Sequence, residues 1–467
     1  MRILFLCSEY EGLIKTGGLA DACRGLATAL VAAGHQVTVM LPRYAPLYEL
    51  ATTGQQSVYF PLGGRSLGCA VRYMQLDGVD IALVEHHDFF HRQRPYDDGH
   101  YGYDDNPLRF AFFCKAALEW CVQTGQQFDI IHGHDWQTAA AAYYLQQYRY
   151  HAALAAVPFI FSVHNGAYQQ QCDISWAAQL DISVLPGTPE LNFLALGVQY
   201  ATKVNTVSNG YRDELLSEPA ANGLAVLYQQ RKSDFSGILN GCDYQQWAPS
   251  IDPLLPARYD KDDLAGKAQC KKILREQYQL ADTAQPLFVA VSRLTGQKGY
   301  DYLIPALWQW LPGVDAQVLI VGSGEAKYVH ALSELATAFP RQVRFVEGFN
   351  EPLAHQVEAA GDFFLMPSLF EPCGLNQLYS LRYGTVPVVR LTGGLRDTVI
   401  PWPDNLATGI GFSEPSVIAM QQALQQALDL YQQPELYRQL QYRGMQQNFS
   451  WQQAAEQYLQ LYRQAGG

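Results

Sequence analysis

No stretch of the 467-residue chain approaches the roughly 18 consecutive apolar residues that a membrane-spanning helix requires. The apolar part of the opening segment, Met1 to Tyr10, is short for a secretory signal and lacks a small-residue cleavage site, so it reads as a first buried strand. A cytoplasmic protein is expected. Positive charge is also in short supply: 32 Lys+Arg against 44 Asp+Glu leave a net charge of −12, which argues against nucleic acid and anionic membranes as partners. The nine cysteines are odd in number, scattered, and form no CxxC pair, so reduced thiols are expected in place of a disulfide framework or a zinc site. Several phosphate and nucleophile fingerprints are missing. Gly322-Ser323-Gly324-Glu325-Ala326-Lys327 has Lys where the third glycine of GxGxxG would stand, which removes support for a nicotinamide cofactor. There is no GxxxxGK[ST] loop and no GxSxG elbow, which removes the usual nucleotide hydrolases and serine hydrolases.

What is present is a large globular protein. With 48% hydrophobic and 16% charged residues, the chain has enough apolar surface for more than one core, and its length corresponds to two or three domains of about 150 residues. Short apolar runs alternate with helical patterns in both halves, the signature of parallel sheets covered by helices. Strands are predicted at Arg2 to Cys7, Gln36 to Leu41, Asp80 to Val84, Phe128 to His132, Phe159 to Val163 and Lys203 to Val207, with helices at Leu19 to Ala33, Arg109 to Cys121 and Thr138 to Tyr150. After an irregular stretch, Asn240 to Asp263, the alternation restarts with strands at Leu287 to Ser292, Gln317 to Val321, Val343 to Glu347, Asp362 to Met366 and Val386 to Arg390. This predicts an α/β protein with an N-terminal doubly wound domain over 1–245 and a second over 246–449. The tail over 450–467, with Ala454, Ala455, Tyr458, Leu459, Leu461 and Tyr462 at helical spacing, is expected to dock back on the first domain. Two such sheets bind ligands at the carboxyl ends of their strands.

Four constellations sit at those ends. Lys15-Thr16-Gly17-Gly18-Leu19-Ala20-Asp21 lies between the first strand and a helix, where paired glycines, free N–H groups and a cation suit a phosphate or sugar. A tight turn with a solvated lysine fits the same residues. Ser292-Arg293-Leu294-Thr295-Gly296-Gln297-Lys298-Gly299 places two cations five positions apart at a strand end, able to bracket a diphosphate. Solvated loop cations are the bland reading. Met366 to Leu375 leads into a helix, so the N–H groups of Cys373, Gly374 and Leu375 are expected to be free for hydroxyl or phosphate oxygens, unless Glu371 only complements the helix dipole. His132-Gly133-His134-Asp135-Trp136 and Val163-His164-Asn165-Gly166 follow neighbouring strands, so their histidines are expected to converge and hydrogen-bond a sugar. Strand alternation points His132 and Asp135 apart, which disfavours a metal site. His86, His87, Asp88 and His91 read as a solvated loop.

In this order and spacing the motifs resemble those of bacterial and plant starch or glycogen synthases, retaining glucosyltransferases with a GT-B fold. The resemblance covers essentially the whole chain, from Lys15-Thr16-Gly17-Gly18-Leu19 through Asn240-Gly241 and Ser292 to Gly299, to Glu371-Pro372-Cys373-Gly374-Leu375, Thr392-Gly393-Gly394-Leu395 and Ser450-Trp451. It implies two Rossmann-like domains facing each other across a deep cleft, the first on the acceptor side and the second on the nucleotide-sugar side, with the C-terminal helix crossing back. It also implies glucose transfer from ADP-glucose to the non-reducing end of an α-1,4-glucan, with retention and without a metal or other cofactor. The catalytic positions carried over are Glu371 at the glucose hydroxyls, His164 beside the reacting sugar, and Arg293 and Lys298 at the diphosphate. Lys15, Gly17, Gly18, Asp135, Trp136, Asn240, Cys373, Gly374 and Leu375 match the remaining lining of the donor pocket.

Retention needs either a carboxylate nucleophile or attack on the face of the leaving group, and the motifs offer no second carboxylate opposite Glu371. A same-face reaction is therefore expected, in which the departing diphosphate takes the acceptor's proton. The chain departs from the family pattern at Leu369, in place of Arg, at Ala195, in place of Lys, at Asn209, in place of Pro, and across Arg92 to Asp105. A transferase with another donor or a small acceptor, and a weakly active glucan-binding homologue, are the alternatives.

Overall fold

The computed structural model describes residues 1–184 and 189–466. The chain divides into two compact units, Met1–Gly241 with the helix Trp451–Ala465, and Cys242–Ser450. Gly467, the last residue of the expected C-terminal segment, lies outside the described residues.

The first unit is built on a sheet whose strands are β1 Arg2–Leu6, β2 Gln36–Pro42, β3 Gly54–Leu62, β4 Arg65–Leu76, β5 Val79–Glu85, β6 Ile130–His134 and β7 Phe159–Val163. A small antiparallel pair, β8 Gln171–Asp173 and β9 Glu190–Asn192, stands apart, and β10 Lys203–Thr206 and β11 Phe235–Gly237 complete the sheet. Its order is β11-β10-β7-β6-β1-β2-β5-β4-β3. From β11 to β5 the pairs are parallel, and β6 and β7 are buried at every position, as strands covered by helices on both faces must be.

The antiparallel hairpin β3–β4 at the edge was not anticipated. Its residues alternate exposed and buried along Val58, Phe60 and Leu62, and it turns through Gly63 and Gly64, at φ +60° and +72°. Two successive positive φ values are what a tight turn matching the strand twist demands, and glycine adopts them without a Cβ clash. His87–Phe90 is a helical turn and not a loop, with the half-buried His86 ring stacked on Phe89 at 4.3 Å.

The second unit carries β12 Leu287–Val291, β13 Gln317–Gly322, β14 Val343–Glu347, β15 Phe363–Met366, β16 Val386–Arg390 and β17 Ile410–Phe412. All pair in parallel, in the order β14-β13-β12-β15-β16-β17. β17 was not anticipated because three residues carry no readable period. The irregular stretch after Gly241 is packed onto this unit: Asp252 is fully buried and meets His355 Nδ1 at 2.7 Å, and Trp247 is stacked between His355 at 3.7 Å and Tyr379 at 3.8 Å.

In each sheet the chain winds outward in both directions from one pair of central strands, β1 and β6 in the first, β12 and β15 in the second. Between such strands the connecting loops part, leaving a crevice at the carboxyl ends. The loops after β1, β6, β12 and β15 carry Lys15, Asp135, Arg293 and Glu371.

The C-terminal helix is held to the first sheet by a buried polar chain. Tyr462 Oη lies 2.9 Å from His132 Nδ1, His132 Nε2 lies 2.7 Å from Ser162 Oγ, Ser162 donates to Asn205 Oδ1 at 2.8 Å, and Asn205 Nδ2 donates to Tyr458 Oη at 3.1 Å. Ser162 has one hydrogen and gives it to Asn205, so His132 donates from Nε2 and receives the Tyr462 hydroxyl at Nδ1. Tyr462→Phe leaves that nitrogen unpaired in the core at a cost of about 1–2 kcal/mol. The expected result is a thermal midpoint lower by a few degrees, roughly the shift such a loss produces in a unit of this size, measured by circular dichroism; an unchanged midpoint would remove the chain's role in holding the helix.

Candidate active site

β1 runs straight into Ser8-Glu9, and Glu9 is buried, at 3% exposure. Its carboxylate accepts the backbone N–H of Thr16, the Thr16 hydroxyl at 2.6 Å and the N–H of Gly17 at 3.1 Å. Tyr96 donates to the same carboxylate at 2.6 Å, and Ser8 donates to Tyr96 at 2.6 Å. The glycine-rich loop is therefore pinned from below. This corrects the reading of the loop as an open cradle: the Gly17 amide is already engaged, whereas Gly18 opens the helix Gly18–Ala32 beside exposed space, where a Cβ at either glycine would meet no atom within 4 Å. Lys15 is half-exposed and pairs with Asp21 at 2.6 Å. Burial raises the Asp21 carboxyl, and Lys15 draws it back down.

Asp135 follows β6 in a conformation almost reserved for glycine, φ +57° and ψ −178°, which costs about 1–3 kcal/mol. The surroundings hold it there. Its N–H donates to Ser162 O at 2.9 Å, and its Oδ1 accepts the N–H of His164 at 2.6 Å and of Asn165 at 3.3 Å. Asp135 thus fixes the His164 loop through the backbone. Burial pushes its carboxyl up to about 7, against the pull of the two amides.

His164 Nε2 lies 3.0 Å from His134 Nδ1, and desolvation holds His164 down to about 3. The expected convergence of histidines on the sugar is only partly met. His132 is fully buried against the C-terminal helix and His134 is 1% exposed, so only His164 keeps an open edge. Trp136 is also buried, packed edge-on against Phe110 at 4.9 Å and near Phe193; its ring supports the start of the helix Trp136–Gln147. Asn240 is buried, with Oδ1 unpartnered among the described residues.

In the second unit, the 3-10 turn Gly296–Lys298 and the loop after β15 bring two predicted residues into direct contact: Lys298 Nζ lies 2.6 Å from Glu371 Oε2. Ser368 donates to the same oxygen at 2.9 Å. The Thr392-Gly393-Gly394 turn supports this loop from behind. Gly394 N–H donates to Glu371 O at 3.0 Å, and Gly393 sits at φ +44° with its Cβ position 2.1 Å from that oxygen, so a side chain there would displace Glu371. Arg293 is exposed, and its guanidinium has no ion pair or hydrogen bond among the described residues. The helix Asn376–Tyr383 begins beyond Gly374 and Leu375, whose N–H groups have no partner among the described residues; Cys373 is buried beside them.

This half-site therefore offers one free guanidinium, a lysine–carboxylate pair and unpaired amides within one loop cluster. These groups can neutralise a diphosphate and bind sugar hydroxyls. The departures are mild in place. Asn209 opens the helix Asn209–Leu215 behind the Ser208 cap, Ala195 N–H is capped by Asn192 at 3.0 Å, and Arg390 reaches Leu369 O at 2.7 Å, keeping a guanidinium in that loop. Glu9, Tyr96, Ser368 and the supporting role of Gly393 were missed; the readable signal for Glu9 was an acid at the end of a buried strand shortly before paired glycines.

Asp135 titrates near 7 in the fold and at 3.8 when unfolded, so the folded state binds the extra proton between these values and stability falls as pH rises through them. Asp135→Asn keeps an Oδ1 acceptor for both amides and removes the titration. Its thermal midpoint, relative to the parent protein, is expected to climb from about pH 4 to 7 and then level off; a difference independent of pH would refute the raised carboxyl.

Residues 2–230 match the family described as "Starch synthase catalytic domain" and residues 272–447 match "Glycosyl transferases group 1". The chain is 40% identical to the glycogen synthase of Aeromonas salmonicida (strain A449), over 100% of this chain and 98% of that one. It is 41% identical to the glycogen synthase of Vibrio cholerae serotype O1 (strain M66-2), over 99% and 98%. The catalytic domain of starch synthase IV from Arabidopsis thaliana, solved with ADP and acarbose, superposes with a TM-score of 0.88 at 30% identity, covering 99% of each chain. A sucrose-phosphate synthase from Thermosynechococcus elongatus, at 18% identity and a TM-score of 0.63, shares the fold. The chain thus has the GT-B fold of a glucosyltransferase and belongs to the glycogen and starch synthase family.

Proposed function

We propose that the protein transfers glucose from ADP-glucose to the 4-hydroxyl at the non-reducing end of an α-1,4-glucan, with retention of configuration and without a metal, in the cytoplasm. The observation that carries this reading is the Lys298–Glu371 pair, with Lys298 on the same loop as the exposed guanidinium of Arg293. Breaking a glycosyl–diphosphate bond adds a negative charge to a diphosphate that already carries two, and a guanidinium with an ammonium held by Glu371 can answer that charge. ADP bound to starch synthase IV supports an adenine nucleotide as the leaving group, and acarbose there supports a sugar-polymer acceptor.

Glu371 is held by Lys298 and Ser368 on one oxygen. That leaves its other oxygen to accept a glucose hydroxyl, a positioning task that needs no nucleophile. The unpaired amides of Gly374 and Leu375 extend the same seat toward hydroxyl or phosphate oxygens. Attack on the leaving-group face then follows, with the acceptor's proton passing to the diphosphate oxygen. Asp135 sets the backbone of His164, and Lys15, on the loop pinned by Glu9, adds a cation for the nucleotide sugar.

The test is incorporation of glucose into glycogen from ADP-glucose and from UDP-glucose, with the anomeric linkage of the product read by NMR. ADP-glucose is expected to be the better donor and the new linkage to be α-1,4. Arg293→Ala removes no internal bond, so its thermal midpoint should stay with the parent while turnover falls roughly 10²-fold or more. Lys298→Ala should lose roughly 10²- to 10³-fold. Turnover unchanged in both variants would sink the assignment of the diphosphate to these cations.

A further inference from the structure

His134 has been given no task by the reaction, yet it is the residue in direct contact with the His164 ring. His132 and His134 are two apart on β6 and so share one face of the strand. Their rings lie 4.1 Å apart, centroid to centroid, and Phe5 closes the other approach to His134 at 5.0 Å. His134 is 1% exposed, packed between the His132 and Phe5 rings. Beyond it, His134 Nδ1 and His164 Nε2 are 3.0 Å apart, a hydrogen-bonded distance that requires one proton between two nitrogens.

Burial holds all three imidazoles below their ordinary range, so each ring is neutral and carries one N–H. Only two arrangements are then open. If His164 donated from Nε2, the His134 proton would sit on its own Nε2, which is buried without any partner. A buried N–H with no acceptor is among the rarest features of folded proteins, whereas an unfilled lone pair is tolerated more often. If His134 instead donates from Nδ1, its orphaned Nε2 is only a bare lone pair, and His164 must carry its proton on Nδ1. That nitrogen has no hydrogen bond among the described residues and, on a ring that is partly exposed, is not a fully buried orphan as His134 Nε2 is.

We propose that His134 is a positioning residue that donates Nδ1–H to His164 Nε2 and thereby locks His164 in the Nδ1–H tautomer, so that the open edge of His164 presents a donor to an oxygen of the sugar. The inference rests on the proposed glucosyl transfer for its consequence but not for the tautomer. It extends to the C-terminal helix: Tyr462 and Ser162 hold His132, and the His132 ring holds His134 in place. Selectivity follows from the direction of the bond. A donor at that edge matches a hydroxyl or ring oxygen and leaves a sugar ammonium or another N–H donor at that position without an acceptor.

The experiment uses the full chain labelled with ¹⁵N-histidine. Long-range ¹H–¹⁵N correlation reports which nitrogen of His164 is protonated, without substrate present, and His164→Gln assigns the signal. The expected spectrum has protonated Nδ1 and bare Nε2. His134→Phe keeps a packed ring but cannot donate. It is expected to release the tautomer and to lower kcat about tenfold or more, with KM for the donor changed less than about twofold. His134→Asn places an amide N–H near the Nδ1 position and is expected to restore both the tautomer and most of kcat. A proton on Nε2 of His164 in the parent protein overturns the proposal, as does a folded His134→Phe variant with unchanged tautomer and kcat. Should His134→Phe fail to fold, the parent spectrum and His134→Asn still decide. A parent protein with the Nδ1–H tautomer but no transfer from either donor would refute the glucosyl-transfer reading alone.

Discussion

A carboxylate at the end of a buried parallel strand cannot be left alone, and much of the site is organised by that constraint. Removing an ion from water costs several kcal/mol even after relaxation, unless amides or cations replace the lost solvation. Glu9 after β1 and Glu371 after β15 meet the demand by holding a loop, and Asp135 after β6 holds a loop too but meets it only in part, its carboxyl rising to about 7. Glu9 takes two backbone amides and a hydroxyl of the glycine loop, Asp135 takes the amides that lead and follow into His164 and Asn165, and Glu371 takes Lys298 and Ser368. The loops that carry the chemistry are held in place by the groups that most need partners. Removing one of these acids would therefore misplace a loop, in addition to losing whatever contact the acid itself makes.

The two half-sites differ in electrostatic character. In the first unit the rings of His132, His134 and His164 are neutral, Asp135 is drawn toward its protonated form, and Lys15 is answered by Asp21. Hydrogen bonds between neutral groups are directional and discriminate one sugar oxygen from another, but they neutralise little charge. The second unit holds the unpaired guanidinium of Arg293 and the Lys298–Glu371 pair. A charge-assisted contact is roughly twice as strong as a neutral one and is needed where charge develops, on the departing diphosphate. The groups of the first unit are thus suited to orienting a ligand and those of the second to answering charge.

The parallel strands were legible because they are buried on both faces and are nearly continuous apolar runs, such as Phe159–Val163 and Leu287–Val291. The β3–β4 hairpin was not. Gln55, Gln56 and Ser57 face solvent, and Pro61 speaks against a strand except at an edge, which is where it lies. In the site, glycines and cations directly after strands could be read, since the rule that ligands bind at strand ends needs only local sequence. Contacts between distant residues could not. Tyr96 meets Glu9 across 87 positions and Tyr462 meets His132 across 330. The two-residue period put His132 and His134 on one face, but only the helix packed there shows that the face is interior. The glycine loop was misjudged for the same reason: its free amides could be inferred from its own residues, and the acid that occupies them could not.

That misjudgement bears on how the first unit works. A loop whose Thr16 and Gly17 amides were free would be a strong seat for any anion, and it would bind inorganic phosphate as readily as a nucleotide sugar. With Glu9 in those positions, the carboxylate both consumes the donors and places a negative charge beneath the glycines. An approaching phosphate then finds the Gly18 N–H at the helix start and the half-exposed Lys15, itself shared with Asp21. The loop is thereby a weak anion site on its own. The Glu9 carboxylate therefore limits the first unit's own hold on phosphate by occupying the Thr16 and Gly17 amides.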